Sequence, residues 1–434
     1  MKPQYWFRWL SMQGVLRAAV RKQARAGDPL ARYLGGAGRP ADSFALIDEL
    51  RSRGRVTRVP LATFTADHEL SRIMLRDNRF GKIPPGTAYT NFTAVSNWLI
   101  RTIPLPANPI EPPSMLVLDP PQHTKLRRPV TSAFTPRAIA RLRERVESVT
   151  DELLDAFPGN GSADLVASYA AQVPSAIITD LLGFPQRDRA MFLEWGDRIA
   201  PLLDIGVDWR RFRRAFAAQD RMDAYLGAHL DRLRQDPGED VLSSLVSSGE
   251  LDDRELKATV GLLMAAGFET TVNLIGNCVV RLLEHPDQLA RLRAEPGLWP
   301  NAIEESLRLD APVQITARIA LEPLELGEVA LRTGTLVVSS LAGANRDPAV
   351  FADPHRFDVG RENAKDHLSF GSGIHVCLGA SLARMEAVHA IRALFERFPD
   401  LRLEGEPKRR DTFTLHGYQR LPVRLGRAAE TAVS

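Results

Sequence analysis

Cysteine is almost absent from this sequence: its 434 residues contain only Cys278 and Cys377, which lie far apart and form no C-x-x-C pair. Two distant thiols exclude a disulfide scaffold and a zinc site built on cysteine pairs. Free thiols are typical of proteins in a reducing compartment. We therefore expect a cytoplasmic protein.

The sequence also lacks an excess of either charge and a long uncharged run. Lysine and arginine together number 56 and aspartate and glutamate 53, with both signs interspersed. This balance excludes the concentrated basic surface of a dedicated nucleic-acid-binding protein. The longest uncharged apolar stretch, residues 258–268, ends at Glu269 and is shorter than the ~20 residues of a membrane span. We expect no nucleic-acid partner and no transmembrane anchor.

The N-terminal segment has neither the apolar core nor the cleavage site of a secretory signal. Residues 1–27 contain no acidic residue and predict a basic amphipathic helix. Its apolar stripe consists of Tyr5, Trp9, Met12, Leu16 and Val20. Such a helix either packs on the body of the protein with its charges in water, the commoner arrangement, or makes a weak peripheral contact with an anionic membrane.

No internal repeat or Gly/Ser linker divides the chain, so we expect a single domain over residues 1–434. Helical periodicity dominates, and strand-like patterns are confined to residues 56–64 and 314–340. These patterns predict a mainly α fold with a minor β region, a small sheet beside a large helical body. Residues 82–118 are rich in proline, and ordered loops of that length usually serve as lids or binding loops.

The longest helical pattern runs from about Asp252 to Leu283 without a proline. At the usual rise it would be on the order of 45 Å long, so its middle must be buried. That middle contains Gly267, which costs about 1 kcal/mol relative to alanine in a helix, followed by Glu269 and two threonines. Two interpretations remain open: a local opening of the helix that receives a ligand or water, or a glycine at a helix crossing with Glu269 reaching outward.

A second cluster, FGSGIHVCLG at residues 370–379, directly precedes an amphipathic helical pattern. Gly371 and Gly373 permit a tight backbone path, and Gly379 lets a flat group approach the start of the helix. Cys377 would lie at a helix N-terminus, which stabilises a thiolate. The alternative is a buried structural cysteine. A dinucleotide fingerprint lacks its third glycine, and a zinc site lacks a second ligand pair.

These motifs, in this order, resemble those of the cytochrome P450 family along nearly the whole chain. The matching stretches are DPPQHTKLRR at 119–128, AGFETT at 266–271, ESLR at 305–308, Arg318, FDVGR at 357–361 and FGSGIHVCLG at 370–379. One such match would be weak evidence, but the ordered set is not expected by chance. The resemblance implies the cytochrome P450 fold, with a long central helix over a haem and a small β-sheet domain, and haem b (iron protoporphyrin IX) as the cofactor.

The resemblance also implies a role for each matching residue. Cys377 would be the thiolate ligand of the haem iron, which favours O–O cleavage. Glu269 and Thr270 would govern oxygen activation, the hydroxyl by holding water and the carboxylate by relaying protons. Glu305, Arg308 and Arg361 would form a structural ion-pair network beneath the cysteine loop. The haem-binding residues would be His123, Arg127, Ala266, Gly267, Arg318, Phe370, His375, Cys377 and Gly379, with His123, Arg127, Arg318 and His375 on the propionates.

The activity implied is insertion of one oxygen atom from O₂ into an apolar small molecule by a monomeric haem-thiolate monooxygenase. Because Glu269 and Thr270 are both present, the resemblance favours electrons from a separate ferredoxin with its NAD(P)H-dependent reductase. A basic patch of Lys125, Arg128 and Arg384 could steer this acidic partner, although simple solvation also explains these charges.

The resemblance places a substrate pocket beside the proline-rich substrate-access loop, residues 82–118. Its other predicted lining residues are Leu263, Phe268, Val313, Gln314, Ile315, Leu415 and His416. Among these, Gln314 and His416 could orient one polar group of an otherwise apolar substrate. Two alternatives stay open: a haem-thiolate catalyst of a reaction without oxygen insertion, such as aryl coupling or dehydration, and a non-enzymatic haem-binding sensor.

Overall fold

The computed structural model describes residues 4–35, 41–82, 105–157 and 161–428. Most of the described chain is helical, which confirms the predicted mainly α fold. The α-helices are Gln4–Trp9, Val15–Arg25, Pro29–Leu34, Ala41–Ser52, His68–Arg76, Gln122–Thr131, Pro136–Arg141, Arg143–Asp155, Gln172–Leu181, Arg189–Ile199, Trp209–Gln235, Val241–Ser248, Asp253–Glu284, Pro286–Ala294, Trp299–Leu309, Leu341–Ala344 and Ala380–Arg397.

The strands form small sheets, and they include the predicted regions 56–64 and 314–340 as well as short strands near residues 80, 163 and 402–424 that the sequence did not predict. The largest sheet has the strand order Val56–Val59, Ala62–Thr65, Leu336–Ser340, Ile315–Ala320 and Phe80–Gly81. The second and third strands are parallel and the other neighbours antiparallel. The smaller sheets are Leu324–Leu326 with Val329–Leu331, Lys408–Arg409 with Tyr418–Arg420, and Ser162–Asp164, Pro422–Arg424 and Arg402–Leu403.

The central helix, Asp253–Glu284, begins at a capping box in which Asp252 and Glu255 satisfy each other's backbone N–H groups. By length and composition it could cross a membrane, but 83% of its most apolar 18-residue window is buried inside the fold. Its apolar residues therefore form core. Cys278 belongs to this core with an exposed fraction of 0%, and burial raises the pKa of its thiol to about 12.

The central helix passes from one hydrophobic core to another. Its first half packs with Trp209–Gln235, and its second half packs with Trp299–Leu309 and Ala380–Arg397. Between positions 258 and 280 every residue is buried except Ala266, Gly267 and Thr270. The helix is unbroken there, so the backbone opening considered from the sequence is not present. A surface of small side chains takes its place.

The N-terminal residues form a continuous helical segment from residue 4 to residue 25, with one π-helical turn at Leu10–Gly14. The Tyr5 hydroxyl donates to the Asp220 carboxylate at 2.7 and 2.8 Å. The Trp9 indole donates to the Val207 carbonyl at 2.8 Å. These contacts hold the segment against the first half of the helix Trp209–Gln235 and the residues just before it.

Candidate active site

The cysteine loop, residues 370–379, is held in a tight path by its own backbone. The Cys377 N–H donates to the Phe370 carbonyl at 2.8 Å. Gly373 has a φ of +71°, and a Cβ there would lie 2.3 Å from the Leu75 carbonyl oxygen. Only glycine fits this position, because the loop packs directly on the helix His68–Arg76. Gly379 caps the helix Ala380–Arg397, as the sequence predicts.

Cys377 is the exposed cysteine, yet protein surrounds the recess in which its sulfur lies. This burial raises the pKa of the Cys377 thiol, while the Gly379 N–H and the Arg127 guanidinium act in the opposite direction. The N–H groups at the helix start therefore favour the thiolate as expected, but burial is the larger effect and the pKa of Cys377 is raised overall. A stable thiolate at this position requires an added positive charge, such as that of an iron ion.

Cationic and imidazole side chains gather beside the cysteine loop. The His123 and His375 rings lie 4.2 Å apart, centroid to centroid. Burial, reinforced by the neighbouring positive charges, lowers the pKa of His123 to about 4 and that of His375 to about 2. In the described chain Asp119 is the one carboxylate facing this group, 3.9 Å from His375 Nε2. The group consists of Lys82, His123, Arg127, Arg318 and His375.

This cationic cluster fits the propionates of a haem. Nε2 of His123 and Nε2 of His375 are buried, and neither has a hydrogen-bond partner among the described residues. Buried donors and mutually repelling cations need anions, and two carboxylates beside a flat ring satisfy both requirements. The four residues expected on the propionates could therefore hold them there.

Lys82 is a member of the cluster that the sequence did not identify. Burial and Arg318 lower the pKa of its ammonium group. Its position follows from the sheet, because the strand Phe80–Gly81 pairs with the strand that carries Arg318. The only sequence signal is an isolated lysine at the start of the proline-rich segment, and the strand pairing that gives it meaning is not visible from the sequence.

The exposed middle of the central helix presents a hydroxyl and a flat backbone. Thr270 Oγ1 donates to the Ala266 carbonyl at 2.6 Å. Among the described residues, a Cβ at Gly267 would meet Ile178 Cδ1 alone, at 3.7 Å, which is an ordinary van der Waals distance. Thr271 contacts Glu386 in the helix that follows the cysteine loop, which places this surface close to that loop.

Glu269 points away from solvent, contrary to the outward orientation considered from the sequence. Its side chain is 1% exposed, and its carboxylate lies 2.6 Å from Nε of Arg410. Arg410 Nη1 in turn donates to Asp197 at 3.0 Å. Burial raises the pKa of Glu269 to about 7 although Arg410 opposes the shift. Glu269 can therefore gain and lose a proton near neutral pH. Arg410 comes from a distant hairpin and was not predicted.

Glu305, Arg308 and Arg361 form the ion-pair network that the sequence predicts. Arg308 Nε and Nη2 donate to the two oxygens of Glu305 at 2.6 and 2.8 Å, and Arg361 Nε donates at 3.1 Å. Arg308 also donates to the Asn345 carbonyl at 2.9 Å, and the Asn345 amide donates to Ser369 at 2.8 Å. The network thus reaches the residue that precedes the cysteine loop.

The predicted apolar pocket residues are buried, except Val313, which is partly buried, and several have protein partners. Phe268 packs against Gly196 of the helix Arg189–Ile199. Val313 and Leu415 pair in an isolated β-bridge. Ile315 packs in a core beneath the five-stranded sheet. Leu263 is 8% exposed and packs in the same core as the first half of the central helix. Of the access loop, residues 83–104 lie outside the described residues.

The two polar residues predicted to contact the substrate have protein partners in this structure. The Gln314 amide donates to the Ala311 carbonyl at 2.6 Å. His416 Nε2 lies 2.8 Å from Asp310 and 2.7 Å from Arg409 Nη1. Both side chains therefore hydrogen-bond within the protein, and their contact with a substrate stays a prediction. Their partners lie in other segments or on the backbone, so the sequence pattern did not reveal them.

The predicted basic patch also needs correction, because each of its cations is neutralised by a glutamate from another segment. The pairs are Lys125–Glu255, Arg128–Glu250 and Arg384–Glu304, each with an N···O distance of 2.6 Å. Paired charges create little field at a distance. These residues do not form the steering surface that was expected.

Comparison with known proteins agrees with this geometry. The family model described as Cytochrome P450 matches residues 107–296 and 298–420. The chain is 44% identical over 429 residues to the putative cytochrome P450 140 of Mycobacterium bovis, covering 97% of each chain. It is 42% identical over 315 residues to 6-deoxyerythronolide B hydroxylase of Saccharopolyspora erythraea, covering 71% of this chain and 76% of that one. The ligand-free crystal structure of Mycobacterium smegmatis CYP164A2 matches with a TM-score of 0.81 and 36% identity, covering 91% of this chain and 99% of that one.

The family match covers most of the chain, and the mycobacterial relative aligns over nearly its full length. The matched region includes the cysteine loop, the exposed middle of the central helix and the buried ion-pair network. The cofactor of this family is haem, which the cationic cluster fits. The chain therefore belongs to the cytochrome P450 family and is a bacterial haem-dependent monooxygenase.

Proposed function

We propose that this enzyme inserts one atom of O₂ into an apolar small molecule and receives its electrons from a separate ferredoxin and an NAD(P)H-dependent reductase. We further propose that it works as a monomer in the cytoplasm. The observation that carries the proposal is the joint presence of Thr270 on the exposed middle of the central helix and of the buried, titratable Glu269 beside it. An electron carrier or ligand sensor has no use for such a pair.

When bound, a haem with a cysteine thiolate ligand supplies the activation of O₂. In our proposal Cys377 provides that ligand, and the cationic cluster with Phe370 and Gly379 holds the ring. The Thr270 hydroxyl would orient water for the oxygen chemistry that the haem supplies. The Glu269 carboxyl passes protons inward, since its pKa of about 7 allows both protonation states at working pH. Arg410 positions that carboxyl and limits its proton affinity.

Product analysis under ¹⁸O₂ tests the reaction class. With ferredoxin, reductase and NADPH, we expect a substrate to acquire one labelled oxygen atom. The first compound to try is 6-deoxyerythronolide B, for which a relative is named. An unlabelled product would instead support aryl coupling, dehydration or another reaction without oxygen insertion, and would contradict the proposal.

Thr270→Ala tests the hydroxyl. We expect product formed per NADPH consumed to fall by about tenfold, with total NADPH consumption retained, because water at the oxygen site is no longer oriented. Thr270→Ser is the matched control and should keep most of the coupling. Thr271→Ala removes the neighbouring hydroxyl, which bonds the Gly267 carbonyl, and should change coupling little. Full coupling in Thr270→Ala would show that the assigned role is wrong.

A different surface beside the cysteine loop is better suited to bind the electron donor than the patch of Lys125, Arg128 and Arg384, whose charges are neutralised. Arg72 and Arg76 are exposed on the helix His68–Arg76, and neither forms an ion pair with any other described residue. Ile73, Ile374 and Val376 lie nearby and are 43%, 36% and 41% exposed. The contact between Gly373 and Leu75 joins the two halves of this patch. An apolar centre with cations beside it, one residue from Cys377, fits an acidic ferredoxin.

Arg72→Glu/Arg76→Glu should raise the ferredoxin concentration needed for half-maximal turnover by about tenfold at low ionic strength. The difference should shrink at high salt because these charges are exposed. The control is Arg128→Glu, since Arg128 is already paired with Glu250, and its effect should be clearly smaller. Substrate binding, read from the haem spectrum, should not change in either variant. Equal effects of the two changes would contradict the assigned patch.

A further inference from the structure

The outward face of the N-terminal helical segment is apolar at one end and basic at the other. Trp6, Phe7 and Leu10 are 43%, 48% and 37% exposed. About three turns further on, Arg21 and Lys22 are exposed as well. Helical spacing puts these residues on one side of the segment. They are distinct from the stripe that the sequence pattern singled out, in which Tyr5, Leu16 and Val20 are buried.

The segment cannot rotate to bury its exposed aromatic residues. Arg8 is 1% exposed and pairs with buried Glu111 at 3.1 Å. The Gln13 side chain accepts from the Val207 N–H at 3.2 Å. Tyr5 is fixed by its hydrogen bonds to Asp220. Rotation would break a buried ion pair, which is costly, so Trp6 and Phe7 stay directed outward.

Further cations extend the basic end onto the neighbouring helix. The Trp9 and Trp209 rings lie 5.9 Å apart, so the start of Trp209–Gln235 is adjacent, and Arg210 and Arg213 are exposed there. Within the described ranges these two arginines, like Arg21 and Lys22, form no ion pair. No acidic residue occurs in residues 1–27. The face therefore carries uncompensated positive charge around an aromatic patch.

We propose that this face binds the surface of an anionic phospholipid bilayer. Trp6, Phe7 and Leu10 enter the interfacial layer, where amphipathic aromatic rings are stable. The cations pair with lipid phosphates, because a negatively charged membrane surface attracts lysine and arginine side chains. Charge complementarity and the fixed outward direction of the rings together select a lipid surface. The proposal rests on this face alone and does not depend on the reaction proposed above.

Co-sedimentation of the haem-loaded, full-length enzyme with vesicles tests the proposal. We expect binding to phosphatidylglycerol/phosphatidylcholine vesicles at low salt and much weaker binding to pure phosphatidylcholine. Trp6→Ser/Phe7→Ser and Arg21→Glu/Lys22→Glu should each lower the apparent partition coefficient by about tenfold or more. Leu321→Ser is the matched control, because Leu321 is 49% exposed elsewhere and should contribute nothing. An unchanged haem spectrum verifies folding of each variant.

Two outcomes would overturn the proposal. The proposal is wrong if the wild-type enzyme does not bind anionic vesicles at low salt. It is also wrong if the Trp6→Ser/Phe7→Ser variant co-sediments with these vesicles as strongly as the wild type. If light scattering shows a wild-type dimer that Trp6→Ser/Phe7→Ser dissociates while vesicle binding is absent, the face joins two copies of the chain and the lipid proposal is wrong.

Discussion

Cys377→His is expected to remove the thiolate signature from the ferrous carbon-monoxide spectrum and to abolish monooxygenase turnover. Histidine can still ligate iron, but it lacks the electron donation by which a thiolate favours O–O cleavage. Replacing a residue that only hydrogen-bonds a metal ligand lowers activity by up to about 100-fold. Because Cys377→His replaces the ligand itself, we expect its loss of turnover to be larger. The Gly379 N–H and the positive charge of Arg127 favour the Cys377 thiolate but do not outweigh its burial, so the charge of a bound iron ion would be needed to hold the sulfur deprotonated.

Cys278→Ala is the matched control for that experiment. Cys278 is the other cysteine of the chain, and it lies in the core, where it behaves as a small apolar side chain. The variant should retain the wild-type carbon-monoxide spectrum even if it loses some stability. A retained thiolate signature in Cys377→His, or its loss only in Cys278→Ala, would show that the iron ligand has been assigned to the wrong residue.

Glu305→Ala is expected to destabilise the folded enzyme by about 3–5 kcal/mol, the typical effect of removing one member of a buried ion pair. Glu305 and Arg308 are both 0% exposed, and Arg361 shares the same carboxylate. Without Glu305, two guanidinium groups would remain near each other with no carboxylate between them. Because the network connects through Asn345 to Ser369, haem retention should fall together with stability.

Denaturant unfolding followed by circular dichroism, with haem content measured in parallel, checks this expectation. The control is Glu396→Ala, which breaks an arginine–carboxylate pair of similar length between Arg392 and Glu396 on the surface. Exposed pairs of this kind contribute about 0.3–0.5 kcal/mol. If Glu305→Ala were no more destabilising than Glu396→Ala, the buried network would not be the structural support we assign to it.

Features that depend on neighbours in sequence were predictable. The central helix starts where Asp252 precedes Glu255 by three residues, and this capping signal is local. The strand-like patterns in 56–64 and 314–340 identified four of the five strands of the main sheet, but not Phe80–Gly81. Glu305 and Arg308 are one helical turn apart, so their pairing follows from helix geometry.

Contacts between distant segments were not predictable in the same way. Lys125 and Arg128 looked free, but Glu255 and Glu250 approach them in the fold. Nothing in the sequence indicated that His416 would contact Asp310, which lies 2.8 Å from its Nε2 in the fold. Arg410 gave no sign that it would meet Glu269. In each case the partner is distant in sequence, so the residues around the charged side chain do not indicate which group it will contact in the fold.

The burial of Cys278 has a practical consequence for work on this enzyme. A thiol that is fully enclosed and protonated up to about pH 12 does not react with alkylating reagents while the fold is intact. Labelling of the haem-free folded chain therefore counts one sulfur, that of Cys377, and a second label appears only on denaturation. When Cys377 binds the haem iron it is not labelled either, so the same chemistry reports directly on whether Cys377 is occupied by metal.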